Sequence, residues 1–225
     1  MGVSLVVRLS AFSAGLALAF VSAASGAEAA PAIVSRVTDA TADGPVVVAI
    51  GDSIMEGHGL DPSDAWPALL AGEDGWRLSN LASDGSGFVT VGDNGDTFAD
   101  QVHAAVSLHP AVVIVSGSSN DLGESDAAIA RATDGALTAL RAALPHAEIL
   151  AVSPVWNDTA EPDQLRTIDA DVVTAARTID AVDLDIGQPL DGQRDLLQAD
   201  DVHPTAEGQA VIAAAVERAL GRPAA

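Results

Sequence analysis

The sequence contains no cysteine. Disulfide bonds are therefore excluded, and so is a lipid anchor attached through a cysteine. The folded part of the chain has to be stable through its hydrophobic core alone. With 225 residues, 48% of them hydrophobic, the chain is long enough to bury such a core within one domain.

Basic residues are also scarce. Lysine is absent, and 10 basic residues face 32 acidic ones, which gives a formal net charge of −22. A chain with this charge is repelled by nucleic acids and by anionic lipid surfaces, so we expect neither as a partner. The acidic residues are spread along the chain rather than gathered in one tail, which is typical of a solvated surface.

The first 29 residues differ in character from the rest. A single basic residue, Arg8, precedes an apolar stretch from Leu9 to Val21, and a segment of small residues ends in Ala27-Glu28-Ala29. This order predicts a signal peptide in residues 1–29, cleaved near Ala29, and a secreted domain in residues 30–225. The apolar stretch is shorter than the roughly 20 residues of a spanning helix, so we expect no stable membrane insertion.

Beyond this leader, strand-like apolar runs alternate with helical patterns. The runs, rich in Val, Ile and Leu, occupy 46–50, 76–82, 111–117, 147–154 and 182–187. The helical patterns, with apolar residues spaced by three and four, occupy 63–73, 96–108, 125–144, 161–179 and 205–220. The first of them opens with a cap signal, Ser63-Asp64. This alternation predicts a five-stranded parallel sheet covered on both faces, a three-layer α/β/α sandwich with its core at about 46–220.

Small and polar residues gather in the segments that follow the strands, and in a parallel sheet these segments meet at one edge. Ser53 ends the stretch "VVVAIGDS"; taken alone, a serine there is more often a helix N-cap than a nucleophile. Asp200 and His203 lie in "DDVHP" before the last helix, at a spacing that lets the carboxylate orient the imidazole. Together the three residues predict a nucleophile, a base and an orienting acid.

Two further loops offer donors for a developing oxyanion. Gly85, in "NLASDGSGF", follows the second strand and brings a backbone N–H that a ligand can approach closely. Asn120, in "SGSSNDLG", follows the third strand and brings a side-chain amide. With the N–H of Ser53 itself, three loops would supply three donors.

These four blocks, at Ser53, Gly85, Asn120 and Asp200 with His203, resemble those of the SGNH hydrolases, the GDSL-type lipases and esterases, in the same order. The resemblance spans nearly all of the predicted domain. It implies a flavodoxin-like sheet, a Ser-His-Asp triad, an oxyanion hole of Ser53, Gly85 and Asn120, and neither a cofactor nor a metal. It also implies hydrolysis of carboxylic esters through an acyl-enzyme on Ser53.

The chain departs from the family pattern in two places. The family usually has Gly-x-Asn-Asp in the third block, whereas Ser118 stands two residues before Asn120; we expect a slightly changed loop and retained activity. In the first block Ile54 replaces the usual leucine, a change that a core position tolerates. Met55 stands where the second glycine of a Gly-x-Ser-x-Gly elbow would be, which argues against the α/β-hydrolase fold.

Other candidates carry less weight. Asp121 is interpreted either as a residue that holds its loop by local hydrogen bonds or as a plain turn residue. His58, near the predicted nucleophile, is interpreted either as a contact to substrate or, in preference, as a flexible exposed side chain. Residues 92–100 offer oxygen ligands, at Asp93, Asn94, Asp96 and Asp100, but lack the twelve-residue calcium pattern. A glycine-rich turn followed by a helix cap is the simpler interpretation of that segment.

Three hypotheses for function follow. The first is a secreted, monomeric serine esterase acting on small-molecule esters. The second keeps the same machinery and removes acetyl groups from a polysaccharide; Trp156 is the tryptophan placed to stack on a sugar, while Trp66 and Trp76 are expected in the core. The third is a secreted binding module without turnover. The low aromatic content, 3%, and the lack of a long apolar insertion give no sign of a lipase lid.

Overall fold

The computed structural model describes residues 36–39 and 44–221, and the predicted signal peptide lies outside them. The strands are β1 (Arg36–Asp39), β2 (Val46–Ile50), β3 (Arg77–Asn80), β4 (Val112–Ser116), β5 (Glu148–Val152) and β6 (Val182–Leu184). The helices are α1 (Ser53–Glu56), α2 (Trp66–Asp74), α3 (Phe98–Ser107), α4 (Asp126–Ala143), α5 (Asp163–Thr178) and α6 (Ala206–Ala219). The five strands and five long helices predicted from the sequence are all confirmed.

The strands form one sheet in the order β1-β3-β2-β4-β5-β6. From β3 to β6 every pair is parallel, and this order is the flavodoxin-like arrangement. Strand β1 is an addition that the sequence analysis did not identify. It is four residues long and pairs antiparallel with β3 at the edge of the sheet, so it lacks the long apolar run that marks a buried strand.

Successive side chains of each strand point to opposite faces of the sheet, and this divides the core into two layers. On β2, Val47 and Ala49 pack into a cluster with residues of α2 and α6, whereas Val48 and Ile50 pack into a second cluster with α3, α4 and α5. All four side chains are fully buried. Because successive side chains of a strand point to opposite faces, an uninterrupted apolar strand requires cover on both faces. The predicted three-layer sandwich is therefore confirmed.

A buried glutamine ties the first two helices to the last one. Gln209 of α6 accepts a hydrogen bond from the N–H of Trp66 at 3.0 Å and donates to the carbonyl of Ile54 at 2.9 Å. Helix α2 thereby obtains the partner that its N-cap, Ala65, does not provide from a side chain. The Ser63-Asp64 cap expected for this helix belongs instead to a short 3₁₀ turn at Pro62–Asp64, which Asp61 caps.

Trp66 and Trp76 are buried in the core, as expected. Trp156 is half-buried, and it packs against a small third cluster formed by Ile129, Leu165 and Ile168. Within the described part of the chain, no helix combines the length and the apolar character needed to cross a membrane.

Acidic side chains crowd together where α5 meets β6. Asp169 is half-buried, and its Oδ1 has no hydrogen-bond partner among the described residues. Burial raises the pKa of Asp169 to about 6, with the neighbouring carboxylates of Asp185, Asp183 and Glu161 acting in the same direction. The ionised carboxylate therefore destabilises the folded chain at neutral pH.

The variant Asp169→Asn should stabilise the protein at pH 8, and the gain should vanish below about pH 4. Between the ordinary pKa of 3.8 and the folded value of about 6, the folded wild type holds a proton that the unfolded chain has lost, so its stability falls as the pH rises through that window. After a discount for solvent screening at this half-exposed site, we expect a gain of about 1 kcal/mol at pH 8.

Urea unfolding at pH 4, 6 and 8 measures this gain, with the exposed Asp134→Asn on α4 as the matched control. A gain that is equal at all three pH values, or that also occurs in the control, would contradict the assignment.

Candidate active site

Ser53 lies at the point where β2 gives way to α1. Its neighbour Asp52 caps the helix by accepting the N–H of Ile54 at 3.0 Å, and Gly57 ends the helix after one turn in the left-handed conformation, with φ of 84°. A Cβ on Gly51 would lie 2.8 Å from the Cβ of Met55, so a larger residue would force a shift in this turn. Ser53 is therefore presented at the carboxyl end of the strand while being 94% buried (relative exposure 6%).

Asp200 and His203 face each other in the turn before α6. Asp200 Oδ2 lies 2.7 Å from Nδ1 of His203, and Asp200 Oδ1 accepts the backbone N–H groups of Val202 and His203, both at 3.0 Å. The bond with the His203 ring, together with the two backbone bonds, holds the pKa of Asp200 well below its usual range. An ionised Asp200 therefore keeps the proton of His203 on Nδ1 and leaves Nε2 available as a base.

The two segments meet across 150 positions of sequence. Nε2 of His203 lies 3.1 Å from Oγ of Ser53, within hydrogen-bond distance. The structure thus brings together the three side chains that the sequence analysis singled out, in the order Ser53, His203, Asp200. Such a chain can move a proton from the serine hydroxyl to the imidazole while the carboxylate orients the ring.

The three expected oxyanion donors lie on the loops after β2, β3 and β4. Gly85 has a φ of +75°, a conformation that favours glycine, and Asn120 donates its side-chain amide to the carbonyl of Ser86 at 3.0 Å. In the described residues, the N–H groups of Ser53 and Gly85 have no hydrogen-bond acceptor. Unpaired N–H groups of this kind are what a site that stabilises an oxyanion requires.

A buried polar network, not anticipated from the sequence, holds these loops together. The side chain of Gln101 on α3 accepts the N–H of Gly51 at 2.9 Å, and its amide nitrogen lies 3.1 Å from the Gly51 carbonyl, 3.0 Å from Ser86 Oγ and 3.0 Å from Asp96 Oδ2. Ser83 donates to the other oxygen of Asp96 at 2.9 Å. The end of β2 and the loop that carries Gly85 are thereby fixed by one fully buried amide.

This network also accounts for part of residues 92–100. Both carboxylate oxygens of Asp96 accept hydrogen bonds from protein groups, and Asp100 accepts the N–H of Thr97 at 2.9 Å at the start of α3. These two carboxylates therefore serve loop packing and helix capping, in agreement with the glycine-rich turn and cap preferred from the sequence.

Ser118, the departure from the family pattern, joins three loops. Its fully buried hydroxyl donates to Asp52 Oδ2 at 2.7 Å, lies 3.1 Å from the Ser86 carbonyl and accepts the N–H of Asn120 at 3.1 Å. Burial raises the pKa of Asp52, against the hydrogen bonds from Ser118 and Ile54, which lower it. Serine therefore has a structural role at this position, because its hydroxyl links the turn of Ser53 to the turn of Asn120.

Asp121 holds a neighbouring loop rather than its own, so neither a bond network local to its loop nor a plain turn residue describes it. Its fully buried carboxylate accepts the backbone N–H groups of Phe88, Val89 and Thr90 at 2.7, 3.0 and 2.9 Å. A side chain on Gly87 would meet Asp121 Oδ1 at 2.5 Å, so the glycine permits this close approach. The loop that carries Gly85 is therefore held to the loop of Asn120 by these charge-assisted hydrogen bonds.

His58 takes a place that the sequence did not reveal. Its ring is stacked on the ring of His203, with centroids 3.9 Å apart and planes inclined by 24°. His58, His203 and Asp200 are the one group in residues 36–39 and 44–221 with potential metal-ligand atoms within 4.8 Å of one another. Imidazole lone pairs lie in the ring planes, so those of the two stacked rings lie in separate, nearly parallel planes, which is a poor arrangement for binding one ion.

The GDSL-like Lipase/Acylhydrolase family model matches residues 49–211, which include all five candidate site residues. The chain belongs to this family. It is therefore a serine hydrolase acting on ester bonds, and the resemblance to the SGNH hydrolases drawn from the four sequence blocks is confirmed.

A curated relative agrees with this assignment. Over 186 residues the chain is 30% identical to the GDSL lipase Rv0518 of Mycobacterium tuberculosis, an alignment that covers 75% of this chain and 78% of the relative.

Solved structures agree in fold. The esterase EstA from Pseudoalteromonas sp. superposes with a TM-score of 0.64 at 17% identity, covering 79% of this chain and 97% of the other. The acetylxylan esterase Axe2 from Geobacillus stearothermophilus, solved as a catalytic mutant, superposes with a TM-score of 0.57 at 19% identity, covering 80% and 95%. Both share the α/β/α sandwich of this GDSL-family chain.

The Ser118→Ala variant of this GDSL-family protein should have both a lower free energy of unfolding and a lower kcat. The change leaves the buried Asp52 carboxylate and the Asn120 N–H without a shared partner, which costs about 1–3 kcal/mol in free energy of unfolding. We also expect kcat for an ester substrate to fall, because the turns of Ser53 and Asn120 lose their common link. Urea unfolding and steady-state kinetics measure the two effects.

The exposed Ser63→Ala is the matched control for this experiment, since it removes a serine hydroxyl at the surface. If Ser118→Ala matched the control in both stability and kcat, the hydroxyl would have no linking role.

Proposed function

We propose that this GDSL-family chain hydrolyses carboxylic esters through an acyl-enzyme on Ser53. In this proposal His203 is the general base and Asp200 orients it. The single observation that supports these roles most directly is the continuous hydrogen-bonded chain, with 3.1 Å between Ser53 and His203 and 2.7 Å between His203 and Asp200.

The reaction would proceed in two halves. In the first, Oγ of Ser53 attacks the ester carbonyl while Nε2 of His203 takes the hydroxyl proton, and His203 then gives that proton to the departing alcohol. In the second, His203 activates a water that attacks the acyl-enzyme and returns Ser53 to its free form. The carboxylate of Asp200 stabilises the imidazolium that forms in each half.

The oxyanion of each tetrahedral intermediate would be held by the N–H groups of Ser53 and Gly85 and by the side chain of Asn120. The unpaired N–H groups of Ser53 and Gly85 support this role, since no described acceptor would have to be displaced. The one described bond of the Asn120 amide, to the Ser86 carbonyl, uses one of its two N–H hydrogens and leaves the other for the substrate.

We further propose that residues 1–29 are a signal peptide cleaved near Ala29 and that the domain, residues 30–225, acts outside the cell as a monomer. The support for export is the sequence order of Arg8, the apolar stretch and the small-residue exit.

Small, soluble esters are the proposed substrates. Neither a long apolar insertion nor a high aromatic content points to a lid for emulsified lipid. Acetylated polysaccharide is the second candidate, supported by the shared fold with an acetylxylan esterase. Trp156 gives this candidate little additional support, because its ring packs against Ile129, Leu165 and Ile168 and its Nε1 donates to Thr159 at 3.0 Å.

A serine-reactive fluorophosphonate should add once to the wild-type protein and not at all to Ser53→Ala. The expected adduct follows from the basic Nε2 of His203 beside the hydroxyl, and mass spectrometry of the intact proteins detects it. Ser107→Ala, which removes an exposed hydroxyl, should retain the adduct. A folded wild type that stays unlabelled would sink the esterase proposal and favour a binding module.

Short acyl chains should be preferred over long ones. With p-nitrophenyl esters we expect kcat/KM to be higher for acetate and butyrate than for palmitate, because no apolar insertion is available to bind a long chain. The Ser53→Ala variant corrects for background hydrolysis. Acetate released from acetylated xylan more efficiently than from p-nitrophenyl acetate would move the polysaccharide substrate to first place, and a preference for palmitate would contradict both.

A further inference from the structure

The catalytic candidate His203 has both ring nitrogens engaged and one ring face covered. Nδ1 bonds to Asp200 and Nε2 to Ser53, and the ring of His58 lies on the face, 3.9 Å away between centroids. No role for His58 follows from the triad or the oxyanion donors, yet its ring is in direct stacking contact with the ring of His203. The residues singled out in the four sequence blocks therefore do not account for all the contacts of the His203 ring.

His58 is held in this position by its own carboxylate partner. Its Nδ1 lies 2.7 Å from Oδ2 of Asp84, the residue before Gly85. The other oxygen of Asp84 is buried and has no hydrogen-bond partner among the described residues. Two parallel pairs result, His203 with Asp200 and His58 with Asp84, with their rings in contact.

The backbone around both histidines is fixed by one further side chain. Gln198 donates its amide to the carbonyl of His58 at 2.8 Å and to the carbonyl of Pro204 at 2.9 Å, while its own N–H donates to the carbonyl of His203 at 2.7 Å. The N–H of His58 donates to the carbonyl of Ser53 at 3.0 Å. The stack is therefore anchored at the ring of His58 and at the backbone of both histidines.

We propose that His58, held by Asp84, is a positioning residue for His203: its ring keeps the imidazole turned towards Ser53 and stabilises the imidazolium formed when Ser53 is deprotonated. The inference rests on the proposed role of His203 as base. In the step concerned, the proton passes from Oγ of Ser53 to Nε2 of His203, and His58 neither gains nor loses one.

Two physical effects support this role. A flat ring in van der Waals contact restricts rotation of the imidazole away from the serine, because such a rotation would have to displace the stacked neighbour. The electron-rich face of an aromatic ring also attracts a cation placed over it, and the carboxylate of Asp84, bonded to Nδ1 of His58, places a negative charge nearby. The attraction acts on the charged state of His203, and the restricted rotation keeps the base in its reactive orientation, so both lower the barrier rather than the substrate dissociation constant.

The test is the rate at which diethyl p-nitrophenyl phosphate inactivates the protein. Ser53 Oγ forms a bond to phosphorus as the bond to p-nitrophenolate breaks, and the serine proton goes to His203, so the second-order rate reports the base without turnover. We expect His58→Ala to react about three- to tenfold more slowly than wild type. His58→Phe keeps a ring over His203 and should recover at least half of the lost rate.

Steady-state kinetics on p-nitrophenyl acetate separate positioning from substrate contact. His58→Ala should lower kcat and leave KM within about twofold, by the logic that an interaction made in the transition state alone does not change substrate binding. Asp84→Asn should lie between wild type and His58→Ala. The exposed His103→Ala on α3 is the matched control, and thermal unfolding verifies that all variants are folded.

The outcomes are distinct. An unchanged inactivation rate in His58→Ala, a rise in KM alone, or a His58→Phe variant as slow as His58→Ala would each overturn the inference. A wild type that reacts no faster than Ser53→Ala would instead overturn the proposed function, because the base itself would then be inactive.

Discussion

The candidate active site depends on one buried amide, that of Gln101. It bonds to both backbone polar groups of Gly51, where β2 ends, and reaches Ser86 and Asp96 in the following loop. At a fully buried position, the N–H of Gly51 would otherwise lose its hydrogen bond to water without replacement, and the Gly51 carbonyl, Ser86 and Asp96 would each lose one of their partners. Satisfying them with one side chain fixes the strand end, and with it the turn that presents Ser53, relative to the loop of Gly85.

The same principle governs the acidic residues of the site. The chain carries a net charge of −22 without a single lysine, so its buried carboxylates cannot rely on abundant cations. Asp121 is stabilised by three backbone N–H groups, and Asp52 by an N–H and the hydroxyl of Ser118. Asp200 and Asp84 each pair with a histidine ring. The hydrogen bonds that hold these loops in place are consequently the same ones that stabilise the carboxylates.

The elements that could be predicted from the sequence are those whose burial leaves a pattern in it. Strands such as β2 and β4 are covered on both faces, so their apolar runs are visible in the sequence, and the helices between them show the spacing of a half-buried surface. Strand β1, Arg36–Asp39, was missed because a short strand at the edge needs no such run. The cap of α2 was placed wrongly at Ser63-Asp64, since its actual partner, Gln209, lies in a helix 143 positions away.

The sequence by itself determined the fold class and named Ser53, Gly85, Asn120, Asp200 and His203, because short local patterns mark strand ends and the Asp-x-x-His turn. Tertiary structure alone decided what surrounds them: the amide of Gln101, the hydroxyl of Ser118 as a link, and His58 with Asp84 beside His203. These contacts join segments that are distant along the chain, and their side chains are of common types. Nothing local distinguishes a glutamine or histidine that will meet such a partner from one that will face water.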